Sequence, residues 1–221
     1  EWHRASKWTS YFCRYWINTL IQNNHTIDPV ASQHFFSSTT MGIHDMKQQI
    51  LIIGAGFGGM WSALSAVRLL DQHQRLDVAV TLLAPQAELR VRPRFYEADL
   101  TTTVAPLGPL FDAVGVRFIQ GCATRIDSAA HRVSYRDASG NNAHLPYDRL
   151  ILASGSQVSR PPVAGIDRFT FDVDSLESAQ KLEAHLQSLA QQPESAARNT
   201  VVVVGGGFTG IETATEMPAR L

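Results

Sequence analysis

Cysteine is nearly absent from this chain, and its scarcity excludes several kinds of chemistry. Cys13 and Cys122 are the only two, and neither sits in a C-x-x-C or C-x-x-x-x-C spacing, so a disulfide-exchange centre is not expected. Cys122 reads as a small buried hydrophobe. The eight histidines are scattered, with no H-x-x-x-H or Cys/His cluster, and no metal site is expected. A G-x-S-x-G nucleophile elbow is missing too. No apolar run reaches the roughly 20 residues of a membrane-crossing helix. Neither sign of charge is in excess: 19 basic and 20 acidic residues leave a formal net charge of −1. That balance argues against a nucleic-acid surface or a polybasic membrane anchor, and the charged groups read as solvated faces.

What the chain does have is a glycine pattern used twice. Ile50-Leu51-Ile52-Ile53 runs into Gly54-Ala55-Gly56-Phe57-Gly58-Gly59, and Val201-Val202-Val203-Val204 runs into Gly205-Gly206-Gly207-Phe208-Thr209-Gly210. Each is read as a buried strand feeding a G-x-G-x-x-G turn and then a helix. In both copies an alanine follows the third glycine by four residues, Ala63 and Ala214. The first glycine suits the tight strand-to-helix turn. The second lets a pyrophosphate approach bare backbone, and the third lets helix and strand pack closely. The helix N-terminus then offers unpaired N–H groups and partial positive charge to phosphates. Two such sites in one chain suggest electron transfer between two bound nucleotides.

The first copy extends into a βαβ unit. Ala63, Leu64, Ala66, Val67 and Leu70 line one helical face, Gln72 to Leu76 connects, and Val78 to Leu83 reads as a second, parallel, buried strand. The end of that strand is where an adenosine ribose expects an acid. Ala84-Pro85 stands there instead, and the next carboxylate is Glu88. The hydrogen bond to the ribose then falls to Glu88, to backbone groups, or is not made.

Residues 116–119, 123–126 and 131–136 read as short strands of a β-meander, with Ser139-Gly140-Asn141-Asn142 as a hairpin turn. Tyr147 to Ala153 resumes a strand ending in Ala153-Ser154-Gly155, small residues that permit close approach of a ligand. Between Leu89 and Leu110 the chain is irregular. Arg90, Arg92 and Arg94 alternate, an arrangement that suits a phosphate or flavin edge if the segment is extended, and equally suits a solvated edge strand. Pro161-Pro162 marks a linker. Asp174-Ser175-Leu176-Glu177 resembles a capping box opening a helix with Leu176, Ala179, Leu182, Leu186 and Leu189 on one face. Gln191 to Asn199 is a polar loop, and Pro218 ends or kinks the last helix.

The 221 residues, 44% of them hydrophobic, suffice for one domain and part of another. Residues 1–45 hold three of the four tryptophans and no sustained period, and Met46 directly precedes the first strand. They read as a disordered or non-native extension, with a mitochondrial leader as the alternative.

The order of glycine turn, β-meander, Ala153-Ser154-Gly155 and second glycine turn resembles the two-dinucleotide-binding-domain flavoprotein reductases over residues 47–221. Within them the Gly-Phe-Thr-Gly-Ile-Glu run at 207–212 is most similar to type II NADH dehydrogenases, the single-subunit NADH:quinone oxidoreductases. The fold that this resemblance implies is α/β: a Rossmann-like FAD-binding domain with an inserted β-meander (46–160), then the start of a second Rossmann-like NAD(P)H-binding domain (161–221). The resemblance also implies FAD held by Gly54, Ala55, Gly56, Phe57, Gly58 and Gly59, with Ala84, Arg92, Ala153, Ser154 and Gly155 alongside. NADH or NADPH would be held by Gly205, Gly207, Phe208, Thr209 and Gly210.

Glu212 corresponds to the carboxylate placed in the family where flavin, nicotinamide and quinone meet. Its counterpart in the first repeat is Trp61, so nucleotide binding alone does not call for an acid there; the bland reading is a first-turn glutamate favoured by the helix dipole. The implied activity passes hydride from NADH to the flavin and electrons on to a quinone. A ferredoxin-type or other electron-carrier reductase, or a non-catalytic FAD-binding redox module, are the competing readings. Family members are considerably longer, so the chain reads as an N-terminal fragment, expected to be inactive alone. Its expected location is cytoplasmic, with membrane contact at the inner face left to a C-terminal region.

Overall fold

β-branched and leucine residues without an interrupting charge build the centre of the sheet. The computed structural model describes residues 48–221, and the reading of residues 1–45 lies outside them. Strand β1 (Gln48–Ile53) becomes fully buried over its second half and leads through the glycine turn into helix α1 (Phe57–Gln72). Strand β2 (Val78–Ala84) returns parallel to β1, with Gln48 opposite Val78 and Ile53 opposite Leu83. The βαβ unit therefore forms as its periodicity predicts. Such a strand is buried on both faces, as the apolar runs require.

The chain divides into two units, one of 48–89 with 106–154 and the other of 90–105 with 155–221. In the first unit the sheet order is β7-β6-β5-β2-β1-β8. Strand β8 (Arg149–Leu152) lies parallel to β1 on the side away from β2. Strand β5 (Arg117–Asp127) lies parallel to β2, then carries on into an antiparallel meander with β6 (Arg132–Asp137) and β7 (Asn142–Pro146). The meander expected from sequence forms, with one correction. Residues 116–119 and 123–126 are parts of a single strand, because a register shift between Ala123 and Arg125 absorbs the irregularity without breaking the ladder. The hairpin turn forms at Gly140 (φ 85°), with the Asp137 carboxylate accepting from the Ser139 and Asn141 amides.

One face of this sheet closes on itself. Leu51, Ile53 and Leu83 from the parallel strands share a buried cluster with Val133 of β6, with Tyr135, Leu145 and Leu150 packed against it. Each fully buried Leu or Ile contributes about 1.5–3 kcal/mol over its exposed state. Cys122 is exposed rather than buried, because it lies on the antiparallel part of β5, where one face meets solvent.

The second unit contains helices α3 (Ile166–Phe169), α4 (Leu176–Leu189) and α5 (Phe208–Glu216). Helix α4 buries Ala179 and Leu186 on the face that its spacing predicts. Its cap differs from the expected box. Ser175 is the N-cap and accepts from the Ser178 amide, while Asp174 and Glu177 pair with Arg92 and Arg90 instead. Helix α5 ends at Glu216, before Pro218, and tightens into a 3-10 turn at Met217–Ala219.

Candidate functional site

The first glycine turn lies where the strand order reverses, between β2 and β8 at the C-terminal end of β1, the usual ligand crevice of open α/β sheets. Gly54 takes φ 107°, a conformation that side chains resist. A Cβ there would also lie 2.2 Å from the Ala153 carbonyl oxygen. The turn is held on both sides: the Gly54 amide donates to the Leu83 carbonyl at 2.9 Å, and the Ala153 amide to the Ile53 carbonyl at 2.8 Å. A Cβ on Gly59 would meet the Gly54 carbonyl oxygen at 1.8 Å, so α1 starts hard against the turn. The Ala153 methyl would be 3.6 Å and 3.7 Å from Cβ atoms placed on Gly59 and Gly58, respectively. A small residue is therefore needed at the end of β8.

Gly56 is different, and more informative. Its φ of −67° is ordinary for any residue, and a Cβ there would find nothing within 4 Å. Neither strain nor packing demands glycine at this position. What a side chain would take up is the open space in front of the N-terminus of α1, where the first-turn amides have no helical acceptor and no acidic side chain stands nearby in the first turn. That is the form of an anion cradle sized for a diphosphate. Ala55 and Ala84 are buried behind it, Phe57 is half exposed and Ser154 is exposed at the end of β8.

The second turn repeats this backbone closely. Gly205 has φ 123° against 107° at Gly54, and Gly207 has φ −77° and ψ 176° against −67° and −174° at Gly56. A Cβ on Gly210 would sit 2.0 Å from the Gly205 carbonyl oxygen, and nothing lies within 4 Å of one on Gly207. Hydroxyls at matching places also bond back to the helix: Ser62 to the Gly58 carbonyl and Thr213 to the Thr209 carbonyl, both at 2.7 Å. Sequence reading missed this second shared feature, although Ser62 and Thr213 stand just before the two matching alanines.

The support behind the second turn departs from expectation. Val201–204 was expected as a buried strand, yet forms no strand, and Val202 and Val204 are 80% and 89% exposed. A parallel strand needs neighbours for its backbone groups and both its faces, and no described residue pairs with it. Gly205, Gly207, Phe208 and Thr209 accordingly face solvent, with Gly210 partly covered. Glu212 is exposed and is the fifth residue of α5, beyond the first turn. The helix dipole acts mainly within that turn, so the bland reading of Glu212 loses its basis.

The arginine segment is not extended. Arg92–Arg94 is a 3-10 turn, and each arginine has a carboxylate partner: Arg90 with Glu177 at 2.8 Å, Arg92 with Asp174, and Arg94 with Glu97 at 2.5 Å. The Tyr96 phenol is pushed above its ordinary value, first by burial and then by the carboxylates of Glu212, Glu97 and Glu216. Tyr96 therefore remains a neutral hydrogen-bond donor in the same electrostatic neighbourhood as Glu212. Nothing in the sequence singled it out. Among the described residues no group of His, Cys, Asp and Glu could hold a metal ion.

Comparison with known proteins agrees with this geometry. The family model described as pyridine nucleotide-disulphide oxidoreductase matches residues 48–220. An NADH dehydrogenase-like protein of Mycobacterium tuberculosis is 45% identical over 177 residues, covering 78% of this chain and 43% of that protein. Demethylphylloquinone reductase of Synechocystis is 30% identical, covering 80% of this chain and 44% of its own length. The chain thus spans less than half the length of these curated relatives. The solved structure of NDH2 from Plasmodium falciparum in complex with NADH shares the fold at a TM-score of 0.65 and 21% identity, covering 79% of this chain and 37% of that one.

Proposed function

Because this chain belongs to the pyridine nucleotide-disulphide oxidoreductase family, we propose that it is part of an FAD-dependent NAD(P)H oxidoreductase that delivers electrons to a quinone. The reading rests on one observation above the others. Two turns of the same backbone geometry each keep a glycine, Gly56 and Gly207, that no strain or contact of the chain requires. Relatives named as NADH dehydrogenase-like, demethylphylloquinone reductase and type II NADH:quinone oxidoreductase support the choice of donor and acceptor.

The first turn, Gly54 to Gly59, would hold the FAD diphosphate on the amides that open α1, with Ala153, Ser154 and Gly155 bordering the crevice. Ala84 offers no carboxylate to a ribose, so that contact falls to backbone groups or to Glu88. The second turn, Gly205 to Gly210 with Phe208 and Thr209, would hold NADH or NADPH within a domain beginning near residue 161. Bound flavin would supply the redox chemistry, taking two electrons from the nicotinamide and passing them to the acceptor. The chain's part is to bind, to orient and to keep a proton-exchanging carboxylate, Glu212, within reach of a neutral phenol, Tyr96. A quinone acceptor is lipid-dissolved, so the whole protein would work at a membrane surface, on its cytoplasmic side. Among the described residues no helix is long and apolar enough to cross one.

The test uses the full-length protein. It is expected to purify yellow and to lose its flavin absorbance when NADH is added without oxygen. A yellow protein that NADH leaves unbleached would reduce the reading to a flavin-binding module, and a colourless one that takes up no FAD would end it.

A further inference from the structure

Arg92 draws three separated stretches of chain together. Its Nε donates to the Asp174 carbonyl at 2.8 Å and its Nη2 to the Asp174 carboxylate. Its Nη1 donates to the carbonyl and the hydroxyl of Ser156, at 2.9 Å and 3.0 Å. The second carboxylate oxygen of Asp174 accepts from the Val158 amide at 3.0 Å. Residues 153–163 have no regular secondary structure, so side-chain bonds of this kind are what define their backbone. Ser156 is two residues along the chain from Ser154, and Gly155 between them turns at φ 72°.

We propose that Arg92 and Asp174 are a positioning pair, which fixes the backbone leaving β8 and so sets where Ser154 and Gly155 border the cofactor crevice. Arg92 acts through Ser156 and does not itself grip the cofactor. The Nε/Nη2 edge, which would hold an oxyanion in a two-point fork, is already filled by Asp174. The charge that would attract a phosphate is matched by the same carboxylate. Asp174 has the complementary shape: one oxygen for the guanidinium, the other for Val158, with its successor Ser175 capping α4. This inference rests on the FAD reading above for its consequence, but the clamp itself can be observed without FAD.

The experiment compares wild type, Arg92→Ala, Arg92→Lys, Asp174→Ala and the Arg92→Ala/Asp174→Ala double variant in two measurements. One is FAD affinity, by flavin fluorescence titration of the apoprotein; the other is amide hydrogen exchange over residues 154–158. Each single variant is expected to bind FAD about tenfold more weakly, the equivalent of one lost charged hydrogen bond. The double variant should be no worse than either single, since both break one device. Exchange at Val158 should speed up in all variants while β1 and β2 stay protected. Arg92→Lys keeps the charge but not the fork, and should behave like Arg92→Ala. The proposal is overturned if Asp174→Ala binds FAD as wild type does while Arg92→Ala does not, since Arg92 would then touch the cofactor directly. Additive losses, or a lysine variant with full affinity, would overturn it as well. If wild type takes up no FAD, the functional reading fails, and exchange at Val158 alone still decides whether the pair fixes this backbone.

Discussion

At the scale of single residues, the glycines separate into those that the chain needs and those that a ligand needs. Gly59→Ala would place a methyl 1.8 Å from the Gly54 carbonyl oxygen, and it is expected to destabilise by at least about 2 kcal/mol in chemical denaturation, as overpacking does. Gly56→Ser should behave in the opposite way. Gly56 is the N-cap of α1 with an extended backbone and no side-chain cap, so serine there is expected to leave stability unchanged or raise it by a few tenths of a kcal/mol. Its hydroxymethyl group would fill the cradle. A second residue-scale prediction concerns Tyr96. Glu212→Gln removes one of the negative charges that hold the phenol up, so the phenol pKa should fall, which a Tyr Cζ chemical-shift titration would register. In the full-length enzyme the same substitution should slow quinone reduction; unchanged rates for both hydride transfer and quinone reduction would remove Glu212 from the site. The glycines were legible because their constraint is local, confined to a single turn. The pairing of Arg92 with Asp174 was not, since the two are distant in sequence and no spacing rule connects them.

At the scale of elements, burial patterns proved readable wherever the partners of an element lie in the same stretch of chain. β1, α1 and β2 formed where their periodicity placed them, as did the β6–β7 hairpin around Gly140. Val201–204 has the same composition as β1 but no strand beside it, and composition alone cannot pair a backbone. Amides of Val201–204 are therefore expected to exchange rapidly in this chain while those of Leu51–Ile53 and Val80–Leu83 remain protected, which mass-spectrometric hydrogen exchange would reveal. Helix α5 is fixed from its far end. The buried Arg220 donates to the Tyr96 carbonyl at 2.8 Å and to the Glu183 carboxylate. Arg220→Met would leave both acceptors without that donor and is expected to cost about 2 kcal/mol, with α4 and α5 losing exchange protection first.

At the scale of the whole molecule, pH reports the charge pairs. Asp172 is pushed up by burial, but bonds from the Asp174 amide, Ser178 and Arg160 outweigh this and hold it below its ordinary value. Glu177 is lowered by its own amide and by Arg90. Groups lowered on folding stabilise above their unfolded values, about 4, and lose that stabilisation as pH falls through the lower folded values. Urea-unfolding stability should thus be level through neutrality and decline below about pH 4, with a shallower decline in an Arg90→Met/Arg160→Met variant.

The central claim is that the first glycine turn is a flavin cradle, and side-by-side FAD titration of wild type and Gly56→Ser tests it most directly. The account predicts that wild type saturates with a single flavin, while the serine variant, equally stable, binds at least about tenfold more weakly. Equal affinity in the two proteins, or no flavin uptake by wild type, would contradict it.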